Sequence, residues 1–235
     1  MDTDILYSDP EFAQIMDGFV NDTYHQGAID LRDRELIAIV VLTSIQEYEE
    51  LAVCTARAIK NHVDPVAIKE AVYQCAPFVG YPKVISAIRV INEEFKKQGI
   101  QLPLQGQKTI TAEERYAKGK QIQSPIYGDR IKALLGALPA EQSEKIPQWL
   151  TENCFGDFYT RTGLEIQTRE LLILCIFCAI GDCEPQIKSH TQGNLKVGNS
   201  REVIVAAITQ CIPFVGFSRV INALRVIKDI EPIEK

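Results

Sequence analysis

Apolar residues in this chain recur at intervals of three and four, the spacing of amphipathic α-helices. Val220, Leu224 and Ile227 form one such stripe near the C-terminus. Residues 171–180, "LLILCIFCAI", are apolar nearly all round, which predicts a deeply buried helix. No segment shows the sustained alternation of a half-buried strand, and no Asn-Gly hairpin turn occurs. We therefore predict an all-α protein.

Residues typical of helix ends separate the predicted helices. The candidate N-terminal caps are Asp64, Thr111 with Glu114, Asp182 or Glu184, and Ser200, while Gly198 suits a C-terminal stop. Pro213 and Gly216 interrupt the last helical pattern and must bend or break it.

One segment of this sequence occurs twice in similar form. "QCAPFVGYPKVISAIRVI" begins at Gln74, and "QCIPFVGFSRVINALRVI" begins at Gln210, 136 positions later. "RELIAIVVLTSI" (34–45) also matches "RELLILCIFCAI" (169–180) at an offset of 135. This period is too long for a solenoid repeat and indicates a duplicated small domain.

The duplication predicts two units joined by a linker. We assign residues 1–97 to the first repeat and 113–235 to the second. Residues 98–112 are a linker, marked by Gly99, Pro103 and Gly106 among several glutamines. The second unit carries a longer front piece, 113–165, than the first.

Composition narrows the classes of partner. Charged residues make up 24% of the chain, the net charge is −6, and no Lys/Arg-rich block appears, so a nucleic-acid or anionic-membrane surface is not expected. The start, "MDTDILYSDPEF", has no signal-peptide pattern, and the longest apolar run (171–181) is too short to span a bilayer. We expect a cytoplasmic protein. The odd number of cysteines, 7, argues against a disulfide framework.

Glu170, Cys183 and His190 are the candidate catalytic residues. Cys183 lies at or just before a predicted helix N-terminus, where the unpaired N–H groups favour a thiolate. His190 follows seven residues later, so both side chains are expected on one helix face. Glu170 joins them if the two helices pack antiparallel. A carboxylate, a thiol and an imidazole in one cavity can move protons near neutral pH.

Structural explanations remain open for these residues. Glu170 can instead form an ion pair with Arg169 or another arginine, as Glu35 can with Arg34 in the first repeat. His190 can be a core histidine, since its repeat partner is Cys54. Cys175 and Cys178 form a Cys-x-x-Cys inside the buried helix, which we interpret as core. No second Cys/His pair supports a zinc site, and no metal is expected.

The second repeat resembles the carboxymuconolactone decarboxylase family, which shares its fold with the alkylhydroperoxidase D-like proteins. The resemblance rests on "RYAKGKQIQSPIYGDR" (115–130), "FGDFYTRTGLEIQTRELL" (155–172) and the segment from Gly181 to Arg225. The first repeat matches from about Arg34 to Phe95. The resemblance implies a compact helical bundle in which two fused copies form a trimer of two-copy chains that imitates a hexamer.

The thiol-peroxidase branch of that family carries a Cys-x-x-Cys, a His four residues later and a Glu on the preceding helix. Cys183, His190 and Glu170 match three of these positions, but Gln186 stands where the second Cys should be. That departure argues against peroxidase activity, because the sulfenic acid needs a resolving thiol.

The decarboxylase branch lacks the Cys pair, keeps the His and uses no metal or organic cofactor. By resemblance, Arg161 and Arg169 are candidates for binding substrate carboxylates, His190 for proton delivery and Tyr159 for orientation. Glu170 departs from this branch, because a carboxylate beside an anionic substrate is repulsive. Three hypotheses follow: a decarboxylase acting on a small carboxylated lactone or related acid, a thiol peroxidase using Cys183, and a non-catalytic member that binds a ligand or partner.

Overall fold

The computed structural model describes residues 8–230, and the structural statements below concern this part of the chain. It contains helices, turns and loops and no β-strand, which confirms the all-α prediction. We expect no signal peptide at the start of the sequence. Residues 1–7 of that segment lie outside the described residues.

The helices fall into two consecutive groups. The first group comprises α1 (Pro10–Tyr24), α2 (Leu31–Ile45), α3 (Tyr48–Lys60), α4 (Pro65–Tyr73), α5 (Ala76–Val79) and α6 (Tyr81–Lys97). The second comprises α7 (Arg115–Tyr127), α8 (Arg130–Leu135), α9 (Ala140–Leu150), a π-helical segment (Thr151–Tyr159), α10 (Ile166–Ile180), α11 (Glu184–Val197), α12 (Arg201–Thr209) and α13 (Ile212–Lys228).

The two groups repeat one plan. Helices α2, α3 and α4 correspond to α10, α11 and α12 at the offsets found in the sequence. The α5–α6 pair corresponds to α13, because both bend at an equivalent glycine: Gly80 has φ +90° and Gly216 has φ +76°. Only glycine adopts this backbone conformation without strain, so the repeated Pro-Phe-Val-Gly motif encodes the bend.

Helices α2 and α10 pack against each other at the centre of the molecule. Every residue from Thr168 to Ala179 is buried, as is every residue from Glu35 to Ser44. The prediction of a deeply buried helix at 171–180 is therefore confirmed to Ala179, while Ile180 at its end is 37% exposed. Two carboxylates, Glu35 and Glu170, lie in this central layer with no exposed surface.

The helix ends follow most of the predicted signals. The Asp64 carboxylate accepts a hydrogen bond from Val66 N at 2.8 Å, and the Ser200 hydroxyl accepts one from Val203 N at 3.3 Å. Gly198 ends α11 with φ +104°. The cap expected at Asp182 or Glu184 is wrong, because Cys183 occupies the cap position of α11 and its side chain makes no capping hydrogen bond.

Glycines allow two helices of the front piece of the second unit to pack closely together. Helix α7 and the π-helical segment approach each other so closely that a Cβ on Gly156 would lie 2.5 Å from the carbonyl oxygen of Arg115. A Cβ on Gly119 would clash with the Thr151 carbonyl oxygen. These contacts hold α7 beside the segment that carries Phe155 and Tyr159.

The segment between α6 and α7 has no regular helix. It is tied to the second unit, since Thr162 N donates to Gln107 O at 3.1 Å and the Thr109 hydroxyl donates to Thr160 O at 2.7 Å. None of the helices in residues 8–230 is both long and apolar enough to cross a bilayer. The cysteines are free thiols, and five are buried: Cys54, Cys75, Cys175, Cys178 and Cys211.

Candidate active site

Glu170 lies on the first half of α10, and His190 lies on α11, which packs against it. Asn194 fixes the register of the two helices, because its amide nitrogen donates to the backbone oxygens of Glu170 at 3.0 Å and His190 at 2.8 Å. Asn199 in turn donates to the side-chain oxygen of Asn194 at 2.7 Å. The fold thus places a carboxylate and an imidazole side by side.

The Glu170 carboxylate accepts hydrogen bonds from two tyrosines. Tyr127 at the end of α7 donates to Oε2, and Tyr159 at the end of the π-helical segment donates to Oε1, each at 2.5 Å. His190 Nδ1 lies 3.2 Å from Glu170 Oε2 and 2.7 Å from Tyr127 Oη. Within residues 8–230, no Lys or Arg pairs with Glu170, so the imidazole is its sole titratable nitrogen partner.

Burial makes the two tyrosines firm hydrogen-bond donors. The pKa values of Tyr127 and Tyr159 are raised well above the usual range, first by burial and then by the neighbouring charge of Glu170. Both hydroxyls therefore keep their protons at physiological pH. With Nδ1 engaged by Glu170 and Tyr127, the Nε2 atom of His190 is left to exchange a proton with a ligand.

Gly193 makes room for this cluster on α11. A Cβ at this position would lie 2.6 Å from Tyr127 Oη and 3.0 Å from Glu170 Oε2. A side chain here would displace Tyr127 from the carboxylate, so the hydrogen-bond network requires glycine at this position.

His190 lines a cavity of about 310 Å³, within the size range of small-molecule sites. The lining residues come from the front piece and the start of α11 in the second unit and from the first unit: Phe78, Gln123, Tyr127, Arg130, Ile131, Leu134, Leu150, Cys154, Phe155, Tyr159, Pro185, Gln186, Ser189 and His190. The walls are mostly apolar, and Arg130 is the one Lys or Arg among the described lining residues. Glu170 is covered by its partners and does not reach the cavity.

The first unit contributes Phe78 to this cavity. Phe78 belongs to α5 in the repeated motif, and its ring lies 5.3 Å from that of Phe177 and 6.2 Å from that of His190. The Phe177 ring packs against His190 at a tilt of 44°, with centroids 4.9 Å apart. Because these rings enclose the imidazole, the site is shared by the two fused copies.

The structure separates Cys183 from Glu170 and His190. Cys183 lines a different pocket, together with Cys178, Asp182 and Arg219. The expectation that Cys183 and His190 share a helix face is wrong, because Cys183 has φ −117° and ψ 36°, outside helical geometry. The helical register that orients His190 therefore does not extend to Cys183.

The expected thiolate character of Cys183 is also not found. Burial, followed by the nearby charge of Asp182, raises the pKa of this thiol. Cys154, which does line the His190 cavity, has its pKa raised to about 12, mainly by burial. Both thiols are protonated at neutral pH, and thiols in this state are weak nucleophiles.

Two predicted substrate-binding arginines lie outside the cavity. Arg161 binds both carboxylate oxygens of Glu70 at 2.9–3.0 Å, and the fully buried Arg169 donates to Glu70 Oε2 at 3.1 Å. The alternative of an ion pair between Glu170 and Arg169 is also excluded by this arrangement. Tyr159, the third predicted binding residue, lines the cavity.

Sequence reasoning missed Tyr127, Arg130 and Phe78. Tyr127 and Arg130 flank the Gly-Asp turn at the end of α7, inside the segment 115–130 that carries the family resemblance, but this segment has no counterpart in the repeat that would single them out. Phe78 lies within the repeated motif, which pointed to an interface but not to the cavity it lines.

The chain matches the model of the carboxymuconolactone decarboxylase family over residues 10–93 and again over 144–229. The two regions cover most of the chain, so the protein belongs to this family and carries two fused copies of its domain. Comparison with curated proteins gives no match.

Proposed function

We propose that this protein is an enzyme of the decarboxylase type that acts on a small carboxylated lactone or related acid. The observation that carries the proposal is the hydrogen-bonded cluster of His190, Glu170 and Tyr127 on the wall of a mostly apolar cavity. A buried carboxylate that holds an imidazole by Nδ1 is an arrangement suited to proton transfer at Nε2.

The reaction breaks the bond between the lactone carbon and its carboxylate. Carbon dioxide leaves, and the electron pair remains on the unsaturated lactone as a dienolate. His190, protonated at Nε2, then delivers a proton to carbon, and the imidazole regains a proton from solvent. The Glu170 carboxylate stabilises the imidazolium before this transfer, because their separation is 3.2 Å.

The apolar walls favour loss of carbon dioxide, since a carboxylate loses charge on becoming a neutral product. Arg130 is positioned to bind the charge that the substrate retains, either a second carboxylate or the dienolate oxygen. Its guanidinium donates to Gln192 Oε1 at 2.7 Å, which orients it at the cavity.

The carboxylate of Glu170 is compatible with an anionic substrate in this arrangement. Tyr127, Tyr159 and His190 lie between it and the cavity and share its charge through hydrogen bonds. The repulsion expected from the sequence is therefore reduced. The peroxidase alternative has less support, because Cys183 lies in another pocket and Gln186 lines the cavity instead of a resolving thiol.

We also propose that the chain self-associates, in the trimer that the family resemblance implies. Tyr81 and Ile85 on α6 are exposed, and so are Phe217 and Ile221 at the matching positions of α13. An apolar pair presented twice by one chain suits interfaces that repeat around an axis. Sedimentation equilibrium of the wild type and of Ile85→Lys with Ile221→Lys tests this proposal.

Carbon dioxide release from carboxymuconolactone and a panel of other carboxylated lactones tests the function. We expect turnover by the wild type and a loss of about 10²–10⁴-fold in His190→Asn. The matched control is His62→Asn, which changes an exposed histidine with φ +59° where asparagine is tolerated.

Equal rates for wild type and His190→Asn, or no turnover of any lactone, would contradict the proposal. Peroxide consumption in the presence of dithiothreitol that disappears in Cys183→Ser but not in Cys154→Ser would instead support the thiol peroxidase.

A further inference from the structure

A second cavity, of about 390 Å³, lies in the first unit beneath the linker. Its walls come from α4, α6, residues 102–107 and Arg161. The apolar lining residues include Val66, Ile88, Leu102 and Leu104. The titratable side chains that line it are Lys69, Glu70, Tyr73 and Arg161. None of the groups in the proposed decarboxylase cavity lines this one.

Lys69 is an unusual residue at this position because it is only 7% exposed. Its ammonium group donates to Asn92 Oδ1 at 2.5 Å and lies 5.6 Å from the ring centre of Tyr73 and 6.0 Å from that of Phe95. Within residues 8–230, no carboxylate forms an ion pair with Lys69. A neutral amide and two aromatic faces compensate only part of the cost of burying this charge.

The neighbouring carboxylate is already neutralised. Glu70, 1% exposed, accepts hydrogen bonds from Arg161 on both oxygens and from Arg169 on Oε2. Among the side chains that line the cavity, Lys69 and Arg161 carry two positive charges against the one negative charge of Glu70. The cluster around the cavity therefore has an excess of positive charge, which one or more anions would balance.

The repeated helical plan of this chain does not demand a lysine here. The position that matches Lys69 in the second unit is Val205, and the position that matches Glu70 is Ala206. Since α12 forms with apolar residues at these places, the polar set on α4 is specific to the first cavity. A buried lysine that the helix does not need in order to form or pack is a candidate for ligand binding.

We propose that this cavity binds a small organic acid, with the carboxylate on the Lys69 ammonium group and an apolar body against Ile88, Leu102 and Leu104. The Asn92 side chain orients the ammonium group, and the linker covers the ligand. Burial lowers the pKa of Lys69 to about 8, so the amine is largely protonated at pH 7 and a bound carboxylate stabilises that form. This inference is independent of the decarboxylase proposal.

Calorimetric titration with benzoate tests the site, with benzamide as the uncharged analogue. We expect the wild type to bind benzoate, and Lys69→Met to lose one benzoate site or to bind there at least about tenfold more weakly. Arg130→Met, in the other cavity, retains that site. Lys60→Met, which removes an exposed lysine, is the matched control.

A second measurement does not depend on the folding of a variant. Acetic anhydride labels accessible amines, and benzoate should slow acetylation of Lys69 in the wild type without changing that of Lys60. Unchanged labelling of Lys69 would overturn the proposal, as would benzoate binding that Lys69→Met leaves intact and Arg130→Met removes. Equal affinity for benzamide and benzoate would also overturn it.

Discussion

The two fused copies carry the same buried glutamate in two different environments. In the first copy, Arg57 Nε lies 3.0 Å from both oxygens of Glu35, while Tyr24 and Asn61 each donate to Oε1 at 2.8 Å. This carboxylate is paired with a permanent cation. In the second copy, Glu170 has two tyrosines and a histidine instead.

A few substitutions at matching positions produce this difference. Tyr24 corresponds to Tyr159, so one tyrosine–glutamate hydrogen bond occurs in both copies. Arg57 corresponds to Gly193, and the space left by the missing side chain is filled by Tyr127 from α7. Cys54 corresponds to His190. Replacing a guanidinium by an imidazole exchanges a fixed ion pair for a group that can gain and lose a proton.

Replacing each of the two buried glutamates by glutamine is the strongest test of this comparison. We expect Glu170→Gln to lower the rate of the proposed decarboxylation by about 10²–10⁴-fold, because the amide cannot stabilise the His190 imidazolium. Glu35→Gln should reduce stability but leave that rate within a few fold in the folded protein, since Glu35 lies with Arg57 and not at the cavity. Initial rates and thermal unfolding of both variants provide the check. Similar losses of rate in the two variants would show that the copies are not functionally distinct.

Removal of Arg57, the permanent cation beside Glu35, should have the next largest effect. Arg57→Met leaves Glu35 fully buried without its ion pair, and we expect a loss of about 2–4 kcal/mol in the free energy of unfolding. The control is Arg225→Met, which breaks an exposed pair with Glu184 and should cost less than about 1 kcal/mol. Urea denaturation measures both. An Arg57 variant as stable as the control would mean that Glu35 does not depend on this cation.

Gly193→Ala tests whether the second copy needs the space at Gly193, which Arg57 fills in the first copy and Tyr127 fills in the second. The added Cβ would lie 2.6 Å from Tyr127 Oη, so we expect a destabilisation of about 1–3 kcal/mol together with lower activity. Gly18→Ala places its Cβ in open space on helix α1 and should be neutral or stabilising by up to about 1 kcal/mol. If both variants unfold at the same urea concentration as the wild type, the close approach at Gly193 is not required.

Lys69→Met is the smallest change in the series and makes this position resemble Val205 of the second copy. Burial lowers the folded-state pKa of Lys69 from 10.5 to about 8, so the unfolded chain binds more protons between these pH values and stability rises with pH across them. The loss of stability caused by burying the charged Lys69 ammonium group is fully present below pH 8. We expect Lys69→Met to gain about 1–2 kcal/mol at pH 7 and to lose this advantage as pH rises from 8 to 10.5. A gain that does not change with pH would exclude charge burial as its cause.

Local sequence predicted the features that depend on neighbouring residues. The helical spacing, the caps at Asp64 and Ser200, the stop at Gly198 and the bend at Gly216 each depend on a few consecutive residues. The duplicated motif predicted two copies of one unit, because self-similarity is visible without any contact being known. Cys183 shows the limit of such reasoning, since its backbone leaves helical geometry just before α11 begins.

Tertiary structure alone decided which groups meet. Tyr127 reaches Glu170 across 43 positions of sequence, and Phe78 reaches His190 from the other copy. Arg161 and Arg169 turn toward Glu70 of the first unit, a partner that no local pattern indicates. These contacts depend on how α2, α10 and α11 pack, and packing is set by the shape and volume of side chains distant in sequence. The helices and their duplication therefore follow from the order of residues along the chain, while the environment of each buried glutamate follows from the folded core.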